Sequence, residues 1–333
     1  MWILCSTALG FLLDLCFGDP RWLPHPVVLI GKSISRLERF LRRKFPQTPE
    51  GERRAGVILA AAIPLGSLLL SLGILLLAYR ISFWLWFVLH TFWAYQILAA
   101  RCLERESDKV YRLLAAGDLP GARVQLSYLV GRDTTQLTAE EVTKACVETV
   151  AENTSDGVTA PLLYLMIGGV PLGFCYKAIN TLDSMVGYRN AKYLHLGRAS
   201  AKLDDAANWL PSRICGLLLT VSAFLLRLDG KNAWRIFRRD RRNHLSPNSA
   251  QTESAAAGAL GIQLGGTHIY FGDVVEKPTI GDAVRFGRTR GHSPHQWDDV
   301  CGVWFVAFGI WSAAVCRSAA VSMRRCAYAP AWR

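Results

Sequence analysis

Residues 55–100 read AGVILAAAIPLGSLLLSLGILLLAYRISFWLWFVLHTFWAYQILAA, and Arg80 is the only Asp, Glu, Lys or Arg among them. A helix needs about 20 apolar residues to cross the hydrocarbon of a bilayer. The stretch holds two such lengths, 55–79 and 81–100, broken at Arg80. They predict two membrane helices joined as a hairpin. The second is dense in Phe, Trp and Tyr, of which Trp and Tyr favour membrane interfaces. His90 within it is expected to be a packed, hydrogen-bonded residue rather than a ligand.

The whole chain agrees with a bilayer setting. Of its 333 residues, 51% are apolar and 19% charged, and 11 are Trp; soluble domains run less apolar and more charged. The net charge is +12, with Lys and Arg clustered. Beside such apolar runs this charge points to a membrane surface, not to nucleic acid. The Cys residues are odd in number and form no CxxC pair. That argues against a disulfide framework or a zinc site and for reduced, buried thiols.

Upstream, residues 2–17 (WILCSTALGFLLDLCF) form a short apolar run carrying Asp14. It lacks the basic start and small-residue cleavage site of a signal peptide, so it is read as a membrane helix. Residues 18–54 are polar and basic, opening with GDPRWLPHPVVLIGK. Pro20, Pro24 and Pro26 break any helix at its start. From Ile30 to Phe45, apolar Ile30, Ile34, Leu37 and Leu41 oppose Arg and Lys, the pattern of a helix lying on an anionic membrane surface.

Downstream, residues 101–157 read as soluble helices. GDLPGARVQL is a turn and a helix; LTAEEVTKACVETVAENTSDG is a helix with a Thr138–Glu141 capping box, ending at Gly157. Residues 158–176 are apolar but interrupted by Pro161, Gly168, Gly169 and Pro171. They predict a broken or re-entrant helix, tolerated only where it is buried in protein or lines a cavity. Residues 210–228 and 302–320 read as further spans, and 229–300 as polar with a basic anchor at 237–242 (FRRDRR). Positive charge puts 18–54 and 229–300 in the cytoplasm. Strict alternation then places 101–157 inside but 177–208 outside, whereas re-entry of 158–176 would carry 229–242 outside; both alternatives stand. The expected fold is all-α: a polytopic integral membrane protein of about five or six membrane helices plus amphipathic and cytoplasmic helices. It forms a single membrane-embedded domain over 1–333, with polar helical insertions near 101–157, 177–209 and 229–300.

Three constellations carry chemistry. Between apolar segments lies NTLDSMVGYRNAKYLHLGRASAKLDDAANWLPSR, 180–213. At helical spacing it sets Asn180, Asp183, Gly187 and Asn190 on one stripe, and Lys202, Asp205 and Asn208 on another, with Asp204 four residues before Asn208. Glu148, Glu152 and Asp156 stand at i, i+4 and i+8. Like charges so spaced repel and become tolerable with a divalent cation between them; Mg²⁺ binds through one or two carboxylates plus substrate phosphates. Asn153 lies beside them. The third set, Asp19, Arg21 and His25, sits on the Pro-stiffened loop after the first helix, where a substrate can be held. Lys177, Arg189, Lys202 and Arg213 are cations suited to phosphate. The Gly-rich 246–272 segment resembles a nucleotide loop only loosely: no GxGxxG, Walker, GxSxG or HExxH motif is present.

The segments LLDLCFGDPRWLPHPVVLIGK, VETVAENTSDGVTAPLLY, YKAINTLDSMVGYRN, SAKLDDAANWLPSR and SPN…ES…AGALGIQLGG…YFG together resemble the CbiB or CobD family of cobalamin-biosynthesis membrane proteins, the adenosylcobinamide-phosphate synthases. They run in family order from residue 12 to residue 272. Gln251 and Thr252 stand where that family often has an aromatic residue and Pro.

The resemblance implies a multi-pass inner-membrane enzyme of cobalamin biosynthesis. Such an enzyme joins aminopropanol, usually as its O-phosphate, to the free propionate carboxylate of adenosylcobyric acid at the expense of ATP. A carboxylate must be activated before an amine attacks it, and an acyl phosphate formed from ATP–Mg²⁺ provides that activation. On this reading Glu148, Glu152 and Asp156 hold Mg²⁺. Asp183, Asp204 or Asp205 supplies a second ligand or the base for the amine proton. Lys202 and Arg189 hold phosphate. Asn153, Asn180 and Asn208 orient substrate, with Asp19, Arg21, His25, Tyr188 and Arg213 as further substrate contacts. The bilayer and other membrane enzymes of the pathway are the expected partners. The competing expectation is a non-enzymatic membrane transporter or signalling protein with a polar pocket.

Overall fold

The computed structural model describes residues 1–20, 22–188, 190–270 and 273–284. Arg21, Arg189 and the expected span at 302–320 lie outside them. In chain order the helices are α1 (Trp2–Phe17), α2 (Pro26–Lys44), α3 (Pro49–Ile81), α4 (Phe83–Ile97), α5 (Ala100–Ala115), α6 (Leu119–Ser127) and α7 (Ala139–Thr154). A π turn (Ser155–Thr159) leads into α8 (Ala160–Val186), α9 (Arg198–Ala207), α10 (Trp209–Leu225), α11 (Gly230–Asp240) and α12 (Ser249–Leu260). A two-stranded antiparallel hairpin, β1 (Leu264–Tyr270) and β2 (Asp273–Ile280), follows, with Leu264 opposite Ile280 and Gly266 opposite Lys277. The described chain divides into two compact units: Met1–Cys102 with Asp156–Pro211, and Leu103–Ser155 with the residues from Ser212 onward.

Among the described residues, three helical stretches, Pro49–Ile81, Phe83–Ala115 and Ala139–Val186, are long and apolar enough to cross a membrane, or four if the bent pair α9–α10 counts as one span. The apolar α1 is shorter, at 16 residues. α3 shows why the protein needs lipid: Leu65, Leu69, Leu70, Leu76 and Leu77 are all exposed, a continuous apolar surface that water does not tolerate. The break between α3 and α4 falls at Ser82, not at Arg80. Its hydroxyl accepts from the Trp84 amide at 3.2 Å and caps α4. α1 packs on α4 through Gly10, where a Cβ would come within 2.8 Å of the Ala94 methyl and the Tyr95 nitrogen.

α2 starts where the prolines predict. Pro26 takes the first turn, and the His25 ring accepts from the Val27 amide at 3.3 Å. Ile30, Ile34 and Leu41 are buried as expected, and Arg42, Arg43 and Lys44 close the last turn, favourably for the helix dipole.

The helix expected to end at Gly157 does not end there. After Thr154 the chain takes the π turn and runs on into α8. Gly168 and Gly169 then leave helical geometry, Gly169 at φ 65°. Beyond the break the chain doubles back. The Tyr164 and Tyr176 rings are stacked with centroids 4.9 Å apart, whereas a straight helix would hold residues twelve apart about 18 Å from each other. Residues 160–186 therefore form a helical hairpin folded back at Gly168–Gly169. At its tip the Val170 amide, freed by the break, donates to His90 Nε2 at 3.1 Å. His90 Nδ1 therefore carries the ring proton and meets Ser6 Oγ at 2.9 Å. His90 is a packed residue, as its setting in the sequence suggested.

In the other unit, α7 begins with the expected capping box. α12 is buried at every residue, because its Ala, Ser and Gly side chains let α7 and α11 approach closely. The stretch read as a loose nucleotide loop is thus this helix followed by the hairpin. Val147, Ala151, Ile236, Ala257, Leu260 and Ile262 form the core.

Candidate active site

The first unit gathers its polar side chains around the foot of the helical hairpin. Asp156 lies on the π turn. Its carbonyl accepts from the Tyr176 hydroxyl at 3.2 Å, and the same hydroxyl lies 2.7 Å from Asn208 Oδ1. Asn208 Nδ2 donates to Asp204 Oδ2 at 3.0 Å. Asp204 is 9% exposed, and its Oδ1 has no hydrogen-bond partner. The Asn180 side chain hydrogen-bonds to it, and the charges of Asp183 and Asp205 act on it. So Asp156, Asn180, Asp183, Asp204, Asp205 and Asn208 come together, from three places in the chain. Lys202 is exposed, and so is Tyr188 at 41%.

The Pro-rich loop of the same unit borders a cavity of about 690 Å³ whose lining includes Asp19, His25, Lys32, Gln96, Leu98 and Lys177. The loop is fixed from α4 and its end. The Tyr95 hydroxyl donates to the Gly18 carbonyl, Gln96 Nε2 donates to the Pro24 carbonyl at 2.9 Å, and the Ala99 amide donates to the Gly157 carbonyl at 3.1 Å. His25 Nε2 stands 3.6 Å from Asp19 Oδ1. Asp14 is fully buried in α1; its Oδ2 accepts from the Ala100 amide at 2.8 Å, and Oδ1 has no partner. The carboxylates of Asp19, Asp156 and Asp14 all act on Lys177. The sequence marked Lys177 only as one of several cations and did not connect Asp14 to a site.

The second unit holds a separate polar cluster. Glu148 is buried in an ion pair with Arg132, and its Oε1 accepts from the Gly265 amide at 2.7 Å. Ser249 Oγ donates to Glu152 Oε1 at 2.7 Å. Glu253, one turn further along α12, is buried. Burial, then the charges of Glu152 and Glu148, push its carboxyl well above the usual glutamate value. Burial, then Lys277, lowers His244. Asn153 spends its amide on the Thr149 carbonyl at 2.7 Å, and Arg213 Nη1 reaches Asn248 Oδ1 at 3.4 Å.

The expected acidic stripe therefore has a different geometry. Arg132 and Gly265 bond the two oxygens of Glu148, Ser249 bonds one of Glu152, and Asp156 lies on the π turn. Among the described residues, no three His, Cys, Asp or Glu side chains gather as a metal ligand set. Arg132, His244 and Glu253 belong to this cluster and were missed; helical periodicity does not mark a partner from another element, whether sixteen residues away, as Arg132 is from Glu148, or further along the chain, as Glu253 is.

Comparison with known proteins extends over most of the chain. A family model described as CobD/Cbib protein matches residues 7–291. "Cobalamin biosynthesis protein CobD" of Geobacter metallireducens is 56% identical over 277 residues, covering 82% of this chain and 85% of that protein. The protein of the same name from Listeria monocytogenes is 49% identical over 286 residues, covering 85% and 89%. "Cobalamin biosynthesis protein CbiB" of Salmonella arizonae is 47% identical over 280 residues, covering 84% and 88%. No solved structure matches. The helical fold thus comes with a match across nearly the whole described sequence, and the chain belongs to the CobD/Cbib family of cobalamin biosynthesis.

Proposed function

We propose that the protein is an inner-membrane amide ligase. It joins aminopropanol O-phosphate to the free propionate carboxylate of adenosylcobyric acid with ATP, giving adenosylcobinamide phosphate. The observation that carries this reading is Asp204: a buried carboxylate held on one oxygen by Asn208, with the other oxygen unpartnered and Asp183 and Asn180 beside it. A buried carboxylate with a vacant acceptor is poised for a cation or a substrate proton.

Mg²⁺ takes one or two protein carboxylates and completes its shell with water and phosphate oxygens, so Asp204 with Asp183 fits it better than the saturated Glu148. Bound with ATP, the ion would neutralise charge on the phosphoryl oxygens. The chain's own groups do the rest. Asn180 and Asn208 orient substrate oxygens, Asp205 or Asp183 accepts the proton that the attacking amine sheds, and Lys202 and Arg189 hold phosphate. Tyr176 fixes Asn208 and thereby Asp204.

The test is ATP-dependent amide formation by Asp204→Asn and Asp183→Asn proteins after membrane insertion is confirmed. A loss of roughly 100-fold or more is expected for removal of a group with such a role. Full activity in both variants would remove the assignment. The break at Gly168–Gly169 also suits a transporter, whose sites form at interrupted helices. Growth separates the two readings: a strain lacking the ligase grows on added cobinamide but not on cobyric acid.

A further inference from the structure

Arg42 ties three segments of the first unit together. Its Nε donates to Glu38 at 2.9 Å, its Nη1 to Glu52 at 3.1 Å and its Nη2 to the Lys192 carbonyl at 2.8 Å. The last turn of α2 is thereby held against the first turn of α3, and Glu38 and Glu52 are both engaged. The link between the two turns is tight. The Thr48 hydroxyl accepts from the Gly51 amide at 3.2 Å, and a Cβ on Gly51 would collide with the Pro46 carbonyl.

Four further cations stand on this corner, Arg43 and Lys44 from α2 and Arg53 and Arg54 from α3, and all are exposed. Among the described residues none of the four is in an ion pair; the carboxylates of Glu38 and Glu52 go to Arg42 instead. Glu50 is the exposed carboxylate beside them, so the corner keeps an excess of positive charge.

Down the helix the same face of α3 changes character. Gly51, Ala55, Leu59 and Ile63 are buried, so Arg53 and Arg54 open the opposite face. That face continues through Val57, Ile58, Ala61, Ala62, Leu65 and Leu69, all exposed. One strip of helix therefore runs from two guanidinium groups straight onto bare hydrocarbon. At 1.5 Å per residue its apolar part, 57 to 69, is roughly 18 Å long, enough to line one leaflet of a hydrocarbon core about 30 Å thick.

This strip selects by shape and by charge. A soluble anion would use the arginines and leave the apolar face uncovered. A zwitterionic lipid would cover that face but bring a cation of its own to the arginines. A lipid whose headgroup carries net negative charge satisfies both ends, and the planar guanidinium fork suits its phosphate oxygens. We propose that the α2–α3 corner holds an anionic phospholipid, its phosphate against Arg53 and Arg54 with Arg43 and Lys44 flanking, and its acyl chains along the exposed face of α3. Nothing in this depends on the ligase reading.

The test is lipid retention by the purified full chain in a neutral maltoside detergent, counted by native mass spectrometry. Phosphatidylglycerol and phosphatidylcholine of the same chain lengths are the probes. The wild type should retain the anionic lipid in preference by about tenfold or more, since each Lys or Arg near an anionic headgroup adds to the attraction. The Arg53→Gln, Arg54→Gln double variant should bring that ratio close to one, and the Arg53→Lys, Arg54→Lys pair should keep part of it. Arg80→Gln, which removes the exposed cation at the other end of α3, should leave the ratio unchanged. Should the first double variant fail to insert, Arg43→Gln with Lys44→Gln is read in its place and should lower the ratio. Free glycerol phosphate, a headgroup without chains, should not displace the lipid. An unchanged ratio in the glutamine variant that is read, or an equal drop in Arg80→Gln, overturns the proposal. So does displacement by glycerol phosphate, which would make the corner a site for soluble anions.

Discussion

Tyr164 stacks on Tyr176 with their planes 16° apart, although eleven residues lie between them. This contact folds a run of helix back on itself at Gly168–Gly169. Labelling from each side of the membrane separates the two topologies open to the sequence. With native cysteines removed, Cys placed at Thr159 and at Ser184 should both be labelled by an impermeant reagent from the same side of the membrane. Labelling from opposite sides would mean that the segment crosses.

The hairpin tip depends on Gly169 and His90. A Cβ on Gly169 would sit 2.7 Å from His90 Nε2 on a backbone with φ 65°, so Gly169→Ala should destabilise by about 1–3 kcal/mol from backbone strain alone. His90→Ala leaves the Val170 amide buried and unsatisfied, at a cost of roughly 1–3 kcal/mol. Because both act on one contact, the double variant should lose less than the sum. Thermal unfolding in detergent measures all three.

Arg132 and Glu148 form a buried pair, with side chains 5% and 7% exposed. Arg132→Met strands the Glu148 charge and should cost about 3–5 kcal/mol. Adding Glu148→Gln removes that charge and should recover a substantial part. Urea or thermal unfolding of the two variants checks the difference; equal losses would show that the pair is not a stabilising unit.

Stability should depend on pH through Glu253 and His244, with opposite signs. Glu253 is raised from 4.5 by burial and by Glu152 and Glu148, so its contribution is full below 4.5 and is lost as pH rises through its folded value. His244 is lowered from 6.5 by burial and Lys277, so its contribution is present above 6.5 and is lost as pH falls through its folded value. Glu253→Gln should therefore gain stability relative to the wild type as pH rises from 5 to 8. Melting temperatures across that range decide the point, and parallel curves would show that Glu253 is ionised in the fold.

Much of this was legible in the sequence because it depends on neighbours along the chain. The amphipathic run at Ile30, Ile34 and Leu41, the Thr138–Glu141 box and the apolar runs at 55–79 and 81–100 are local patterns, and each appears as a helix or cap. Gly168, Gly169 and Pro171 marked the break but not its angle, which the distant His90 fixes. The carboxylates at 148 and 152 have partners that their spacing does not reveal. Periodicity reports which side chains share a face, but not that an arginine from 132 or a serine from 249 already lies on it. Asp14 and Lys177 were illegible as partners for the same reason, being joined only by packing of α1 against α8.

Tyr95 and Gln96 hold both ends of the Pro-rich loop before any small molecule arrives. A rim fixed in this way has little freedom left to lose on association and little capacity to adjust. It should discriminate by length: a ligand one methylene longer than its best fit finds no rearranged mouth to admit it, and tightness falls instead of a new shape being induced.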